Sequence, residues 1–143
     1  MILDSFRLDG KVALVTGSNR GLGQGAALAL AEAGADVALL ERSAGSETAA
    51  RIEALGRRVH TVHADLTTAT SAELAAAVAE VVDVLGSVDI LVNNAGTIRR
   101  APAVDYSVAD WDDVLTVNLD AVFHLSQAAG RHMIEAGIGR IIN

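Results

Sequence analysis

A chain of 143 residues with 51% hydrophobic residues carries enough apolar surface for one buried core, and its formal charge of −7 argues against a nucleic-acid backbone or an anionic membrane surface as partner. It contains no cysteine, which excludes disulfides, thiolate catalysis and cysteine metal sites. With only 3% aromatics, the apolar content is Val, Leu, Ile and Ala, the palette of a parallel sheet covered by helices on both faces.

The opening Met1-Ile2-Leu3 is followed at once by Asp4, without the basic start or long apolar core of a signal peptide, and the later apolar runs are short and interrupted. The expected setting is therefore cytoplasmic. Along the chain, strand and helix patterns alternate. Residues 11–16 read as a first strand, 22–33 as a helix closed by Gly34, 36–41 as a second strand and 46–55 as a helix ended by Gly56. A third strand follows at 59–63 and a helix at 71–85, with Thr70 and Glu73 at capping-box spacing and Gly86 just past its end. Residues 88–92 form a fourth strand. Ser107 and Asp110 mark a capped start for helical sequence reaching about 136, and 140–142 begin a fifth strand. Such alternation predicts an α/β fold, a doubly wound parallel sheet built from right-handed crossovers.

The most informative stretch is Thr16-Gly17-Ser18-Asn19-Arg20-Gly21-Leu22-Gly23, between the first strand and the first helix. A buried strand turning through glycines into a helix gathers backbone N–H groups and the positive end of a helix dipole at one point, a receptor for a pyrophosphate. Gly17 permits the tight turn, Gly21 admits the phosphates, and Gly23 lets the helix lie close to the strand. The spacing is G-x-x-x-G-x-G rather than the general G-x-G-x-x-G. His60, His63, His124 and His132 show no metal-ligand spacing, so no metal is expected.

Three further landmarks stand in order: Asp65-Leu66 after the third strand, Asn93-Asn94-Ala95-Gly96 after the fourth, and Asn118 in the helical stretch beyond. Together with Thr16 to Gly23 they resemble the short-chain dehydrogenase/reductase family, from about Arg7 to Asn143. The resemblance implies a Rossmann fold cut short after the fifth strand, with residues 1–143 as the N-terminal part of a single dinucleotide-binding domain. It implies coenzyme contacts at Gly17, Ser18, Asn19, Arg20, Gly21, Leu22 and Gly23. Asp65 would accept from the adenine amino group while Leu66 presents its N–H to the ring, although an isolated Asp there also suits a turn cap. Asn93 and Ala95 would lie beside the adenosine and Gly96 would pass close to the coenzyme; the same residues also suit a plain turn. Asn118 would hold a water in a proton relay, or simply mark a helix kink.

Glu41 ends the second strand, where a carboxylate would accept from both ribose hydroxyls and repel a 2′-phosphate, which puts NAD ahead. Arg42 and Arg20 pull toward NADP, so that coenzyme stays open. The family transfers a hydride between nicotinamide and a carbonyl or alcohol carbon, with a Tyr as proton carrier, a Lys four residues later and a Ser that orients the oxygen. Here the single Tyr, Tyr106, is followed four residues on by Asp110, and the single Lys is Lys11. The expectation is a fragment without turnover, taken from a longer enzyme. Arg99-Arg100 suits a bidentate grip on a carboxylate, or is a basic surface pair. Together with the opening residues and Asp110-Trp111-Asp112-Asp113, it resembles the family's sugar-acid branch, implying a keto sugar acid substrate of the 2-deoxy-D-gluconate or 2-dehydro-3-deoxy-D-gluconate type. The rivals are a 3-oxoacyl-carrier-protein reductase, a gluconate 5-dehydrogenase and a non-catalytic nucleotide-binding protein. The resemblance also implies a homotetramer in the full-length form, with no nucleic-acid or membrane partner.

Overall fold

The computed structural model describes residues 1–43 and 47–143. Five parallel strands, β1 (Val12–Thr16), β2 (Asp36–Glu41), β3 (Val59–His63), β4 (Ile90–Val92) and β5 (Arg140–Ile142), form one sheet in the order β3-β2-β1-β4-β5. The helices are α1 (Gly21–Glu32), α2 (Thr48–Ala54), α3 (Ser71–Leu85), α4 (Val108–Leu115) and α5 (Ala121–Ala136). No described helix is long and apolar enough to cross a membrane.

β1 lies at the centre, and all five of its residues are buried, which is why Val12 to Val15 is a continuous apolar run rather than an alternation. Its side chains divide between two layers. Leu14, Leu40, Val62 and Leu91 pack with Leu74, Val78 and Val81 of α3 and Leu125 of α5. Val15, Val37 and Leu39 pack on the other face with Ala27 and Leu28 of α1 and Ile52 of α2. The doubly wound Rossmann arrangement follows, and the strand order reverses direction between β1 and β4, the switch point where such sheets open a crevice.

The predicted caps are present. Thr70 Oγ1 accepts from Glu73 N–H at 3.2 Å while Glu73 Oε2 accepts from Thr70 N–H at 2.7 Å, and Ser107 Oγ accepts from Asp110 N–H at 3.0 Å. Gly86 and Gly137 end α3 and α5 with left-handed backbone. Three details differ from the sequence reading. The helical stretch after Ser107 is broken by a π turn at Thr116–Asp120. Short 3₁₀ turns occupy Ile2–Phe6 and Ala103–Asp105. β4 starts at Ile90, because Asp89 turns its carboxylate onto Val12 N–H at 2.9 Å, at the strand's entrance. The predicted start of the second helix, Ser46, lies outside the described residues; the described helix begins at Thr48.

Candidate functional site

Beyond the carboxyl ends of β1, β2, β3 and β4 opens a cavity of about 800 Å³, within the size range of small-ligand sites. It is lined by 17, 19–23, 40–43, 64–67, 94–97, Arg99 and Val117. The strands bring together residues that are far apart in the chain, since each one delivers its following loop to the same edge of the sheet.

The floor is the turn from β1 into α1. Gly17 has φ +63°, and a Cβ there would stand 3.0 Å from Ala95 Cα. A Cβ on Gly23 would collide with the Gly17 carbonyl and with Asn94 Nδ2, so α1 reaches the turn only through glycine. Unlike α3 and α4, α1 starts without a side-chain cap: Arg20, extended at φ −161°, supplies none. Its first turn also carries no acidic residue. Those first amides therefore face the cavity as donors, backed by the helix dipole, which suits a diphosphate. The donor set and the glycine-shaped floor fit a dinucleotide.

The opposite wall is the loop after β4, stitched to the floor by hydrogen bonds. Asn94 Nδ2 donates to the carbonyls of Thr16 (3.1 Å) and Gly17 (3.3 Å), and Ala95 N–H donates to Thr16 Oγ1 (2.9 Å). Farther out, Asn118, in the π turn, holds both backbone polar groups of Thr97: its Oδ1 accepts from the N–H at 2.8 Å and its Nδ2 donates to the carbonyl at 2.9 Å. π turns commonly re-aim a side chain at functional positions, and this one aims an amide at the loop.

Of the residues singled out in the sequence, Gly17, Asn19, Arg20, Gly21, Leu22, Gly23, Glu41, Asp65, Leu66, Ala95, Gly96 and Arg99 line the cavity. Ser18, Asn93, Arg100 and Asn118 are not on its lining. Ser18 is fully buried, its hydroxyl donating to Glu41 Oε1 at 3.1 Å. Asn93 faces α5 and β5, donating to Ser126 Oγ (3.1 Å) and Asn143 Oδ1 (2.8 Å), while its own Oδ1 is buried with no hydrogen-bond partner. Asp65 Oδ1 closes a turn by accepting from Thr67 N–H (2.9 Å) and Thr67 Oγ1 (2.7 Å). The Thr67 hydroxyl first, then its N–H, with a smaller pull from Arg42, hold this carboxyl below its ordinary range against slight burial. It is thus an ionised acceptor at the cavity wall.

The two adjacent arginines separate. Arg99 reaches the wall and bonds inward, donating from Nη1 to Thr97 Oγ1 at 3.0 Å and pairing with Asp110 (3.5 Å) and Asp113 (3.6 Å) of α4. Arg100 is exposed, away from the lining. Tyr106 donates its hydroxyl to the Arg99 carbonyl at 3.2 Å, and Lys11 pairs with Asp89 at 3.3 Å at the opposite end of the sheet. Neither residue reaches the cavity lining. The sequence reading did not single out Thr48, and it named Thr16, Asn94, Asp110 and Asp113 within motifs without the roles they take here: Thr16, Asn94 and Thr48 brace the floor, and Asp110 and Asp113 hold Arg99. The sequence pointed to Asp110 as a helix start and as part of the stretch resembling the sugar-acid branch, not as a partner of Arg99.

Comparison with known proteins agrees with this geometry. The chain is 50% identical over 146 residues to a 2-dehydro-3-deoxy-D-gluconate 5-dehydrogenase of Escherichia coli (strain K12), covering 100% of the chain and 56% of that protein. It is 44% identical over 142 residues to a gluconate 5-dehydrogenase of Gluconobacter oxydans (strain 621H), covering 98% of the chain and 55% of that protein. The chain thus spans little more than half the length of these relatives. Its fold superposes on the crystal structure of a gluconate 5-dehydrogenase from Burkholderia cenocepacia J2315 in complex with NADP and tartrate, with a TM-score of 0.90 at 44% identity, over 100% of the chain and 56% of that structure. The sequence profile of the short chain dehydrogenases matches residues 11–143, and with the Rossmann sheet and its glycine-floored crevice this shows that the chain belongs to the short-chain dehydrogenase family.

Proposed function

We propose that this chain forms the coenzyme-binding part of an NAD(P)-dependent oxidoreductase acting on a secondary alcohol or ketone of a sugar acid, of the 2-dehydro-3-deoxy-D-gluconate type. The observation that carries this reading is the uncapped start of α1 over a glycine floor, opening into a cavity of about 800 Å³. Within it, the first amides of α1 hold the diphosphate, Asp65 and the Leu66 N–H receive the adenine, and Ala95 and Gly96 form the wall beside the adenosine. The coenzyme, once bound, supplies hydride acceptance and donation. Asn118 keeps the loop at Thr97 in place through its two-point hold on the backbone. The sugar-acid assignment is supported by the E. coli and G. oxydans relatives and by Arg99 at the cavity wall. Trp111 and Phe123, exposed on α4 and α5, are apolar surface suited to burial against a further element or another subunit.

Tyr106 and Lys11, the residue types that the resemblance assigns to proton transfer, lie away from the cavity lining. The test is calorimetric titration of the chain with NAD and NADP, together with rate measurements on the whole protein using 2-dehydro-3-deoxy-D-gluconate, gluconate and an acetoacetyl thioester. Micromolar binding of a dinucleotide and a preference for a sugar acid are expected. No binding would overturn the coenzyme reading, and a preference for the thioester would overturn the substrate assignment.

A further inference from the structure

Ser18 sits fully buried in the glycine turn, while the next residue, Asn19, is exposed on the cavity lining. The Ser18 backbone carbonyl is held from behind. Thr48 Oγ1, at the start of α2, donates to it at 2.9 Å, and Thr48 is itself fully buried and off the lining. The same hydroxyl accepts from Gln24 Nε2 of α1 at 2.9 Å, and Gln24 Oε1 accepts from Arg51 Nη1 of α2 at 3.3 Å. This relay has one polarity. A guanidinium only donates, so Arg51 takes the amide oxygen of Gln24 and leaves its NH2 facing Thr48. Having accepted there, the Thr48 hydroxyl directs its one hydrogen at the Ser18 carbonyl.

The direction of that carbonyl matters for the atom across the peptide bond. The Ser18–Asn19 peptide is planar and trans, so its N–H leaves on the side opposite its C=O. With the carbonyl turned inward to Thr48, the Asn19 N–H is turned outward, and no described residue accepts from it. We propose that Thr48 is a positioning residue of the nucleotide site: by holding the Ser18 carbonyl, it keeps the Asn19 N–H aimed into the cavity as a donor to the diphosphate, beside the first amides of α1. The proposal rests on the coenzyme reading of the cavity. Without the Thr48 hydroxyl, a buried carbonyl loses its donor and the peptide rotates toward another partner, taking the N–H with it.

The test is calorimetric titration of the whole protein and its variants with ADP, NAD and NADP, alongside circular-dichroism melts. Thr48→Val should weaken all three ligands by about fivefold, and Thr48→Ser, which keeps the hydroxyl, should stay within about twofold of the unaltered protein. In steady-state rates, Thr48→Val should raise KM for the coenzyme by about fivefold and leave kcat within about twofold. Gln24→Glu separates aiming from packing. A carboxylate cannot donate, so Thr48 turns its hydrogen away from Ser18 and toward the new acceptor, while Arg51 pairs with the added charge. ADP affinity should fall by about fivefold with no drop in melting temperature. In the Thr48→Val background the same change should cost less than about twofold, because no hydroxyl remains to be redirected. Unchanged affinity in Thr48→Val, or equal losses from Gln24→Glu in both backgrounds, would overturn the proposal alone. Should Thr48→Val not fold, Gln24→Glu on the partly exposed face of α1 decides, and unchanged ADP affinity there would overturn it. Binding of none of the three ligands by the unaltered protein would overturn the proposal and the coenzyme reading together.

Discussion

Gly23 lies where the first turn of α1 meets both the carbonyl of Gly17 and the amide of Asn94, with no volume left for a methyl group. Gly23→Ala is therefore expected to push α1 off the turn, lowering stability by about 1–3 kcal/mol. A displaced helix start would also weaken dinucleotide binding by at least about tenfold. Urea unfolding and calorimetry check the two effects, and unchanged values for both would remove the steric argument. The glycine spacing was open to sequence reading because backbone demands of this kind exclude every other residue type. The division of labour between Asn93 and Asn94 was not. Two neighbouring amides leaving a strand point to opposite sides, and only the placement of β1 and α5 decides that Asn94 meets the glycine turn while Asn93 meets Ser126. Arg99 and Arg100 diverge for a similar reason, since α4 supplies carboxylates to only one of them.

Among the elements, α3 and α4 were legible at their starts because Thr70 and Ser107 satisfy local amides by contacts three residues away. The π turn at Thr116–Asp120 was not, since widening one turn leaves the apolar periodicity on either side nearly unchanged. The entrance to β4 depends on Asp89. Burial alone would raise its carboxyl, but hydrogen bonds from Val12 N–H, Ser87 Oγ and Lys11 Nζ outweigh that effect and hold it below the ordinary value of 3.8. A group depressed in the folded state adds stability above its unfolded value and loses that contribution as the pH falls through the folded one. Stability should therefore decline as the pH drops below about 4, and Asp89→Asn should flatten that limb while lowering stability near neutrality. Urea titrations across this range test the sign; an unaltered acid limb in the variant would show that Asp89 does not contribute to it.

Across the whole molecule, the strand–helix alternation was enough to predict a doubly wound sheet. Its order, β3-β2-β1-β4-β5, is a matter of long-range pairing that no local pattern encodes, and it is seen in the pairing registers. Protection should grade across this order. Ala13, Leu14 and Val15 are fully buried between two neighbouring strands, whereas all three residues of β5 are exposed. Hydrogen exchange followed by mass spectrometry is expected to show the β1 amides exchanging slowest and those of 140–142 fastest among the strands. Equal rates would mean that the sheet opens as a single unit.

The bonds from Asn94 and Ala95 to Thr16 and Gly17 join positions separated by 77 to 79 residues. The N-terminal strand–turn–helix unit carries the recognisable signature yet cannot hold its shape alone, because its buttress arrives much later in the chain. During synthesis, the nucleotide cradle should therefore mature only after the fourth strand has docked. A peptide ending near the second strand should remain a poor receptor, however faithfully it carries the glycines.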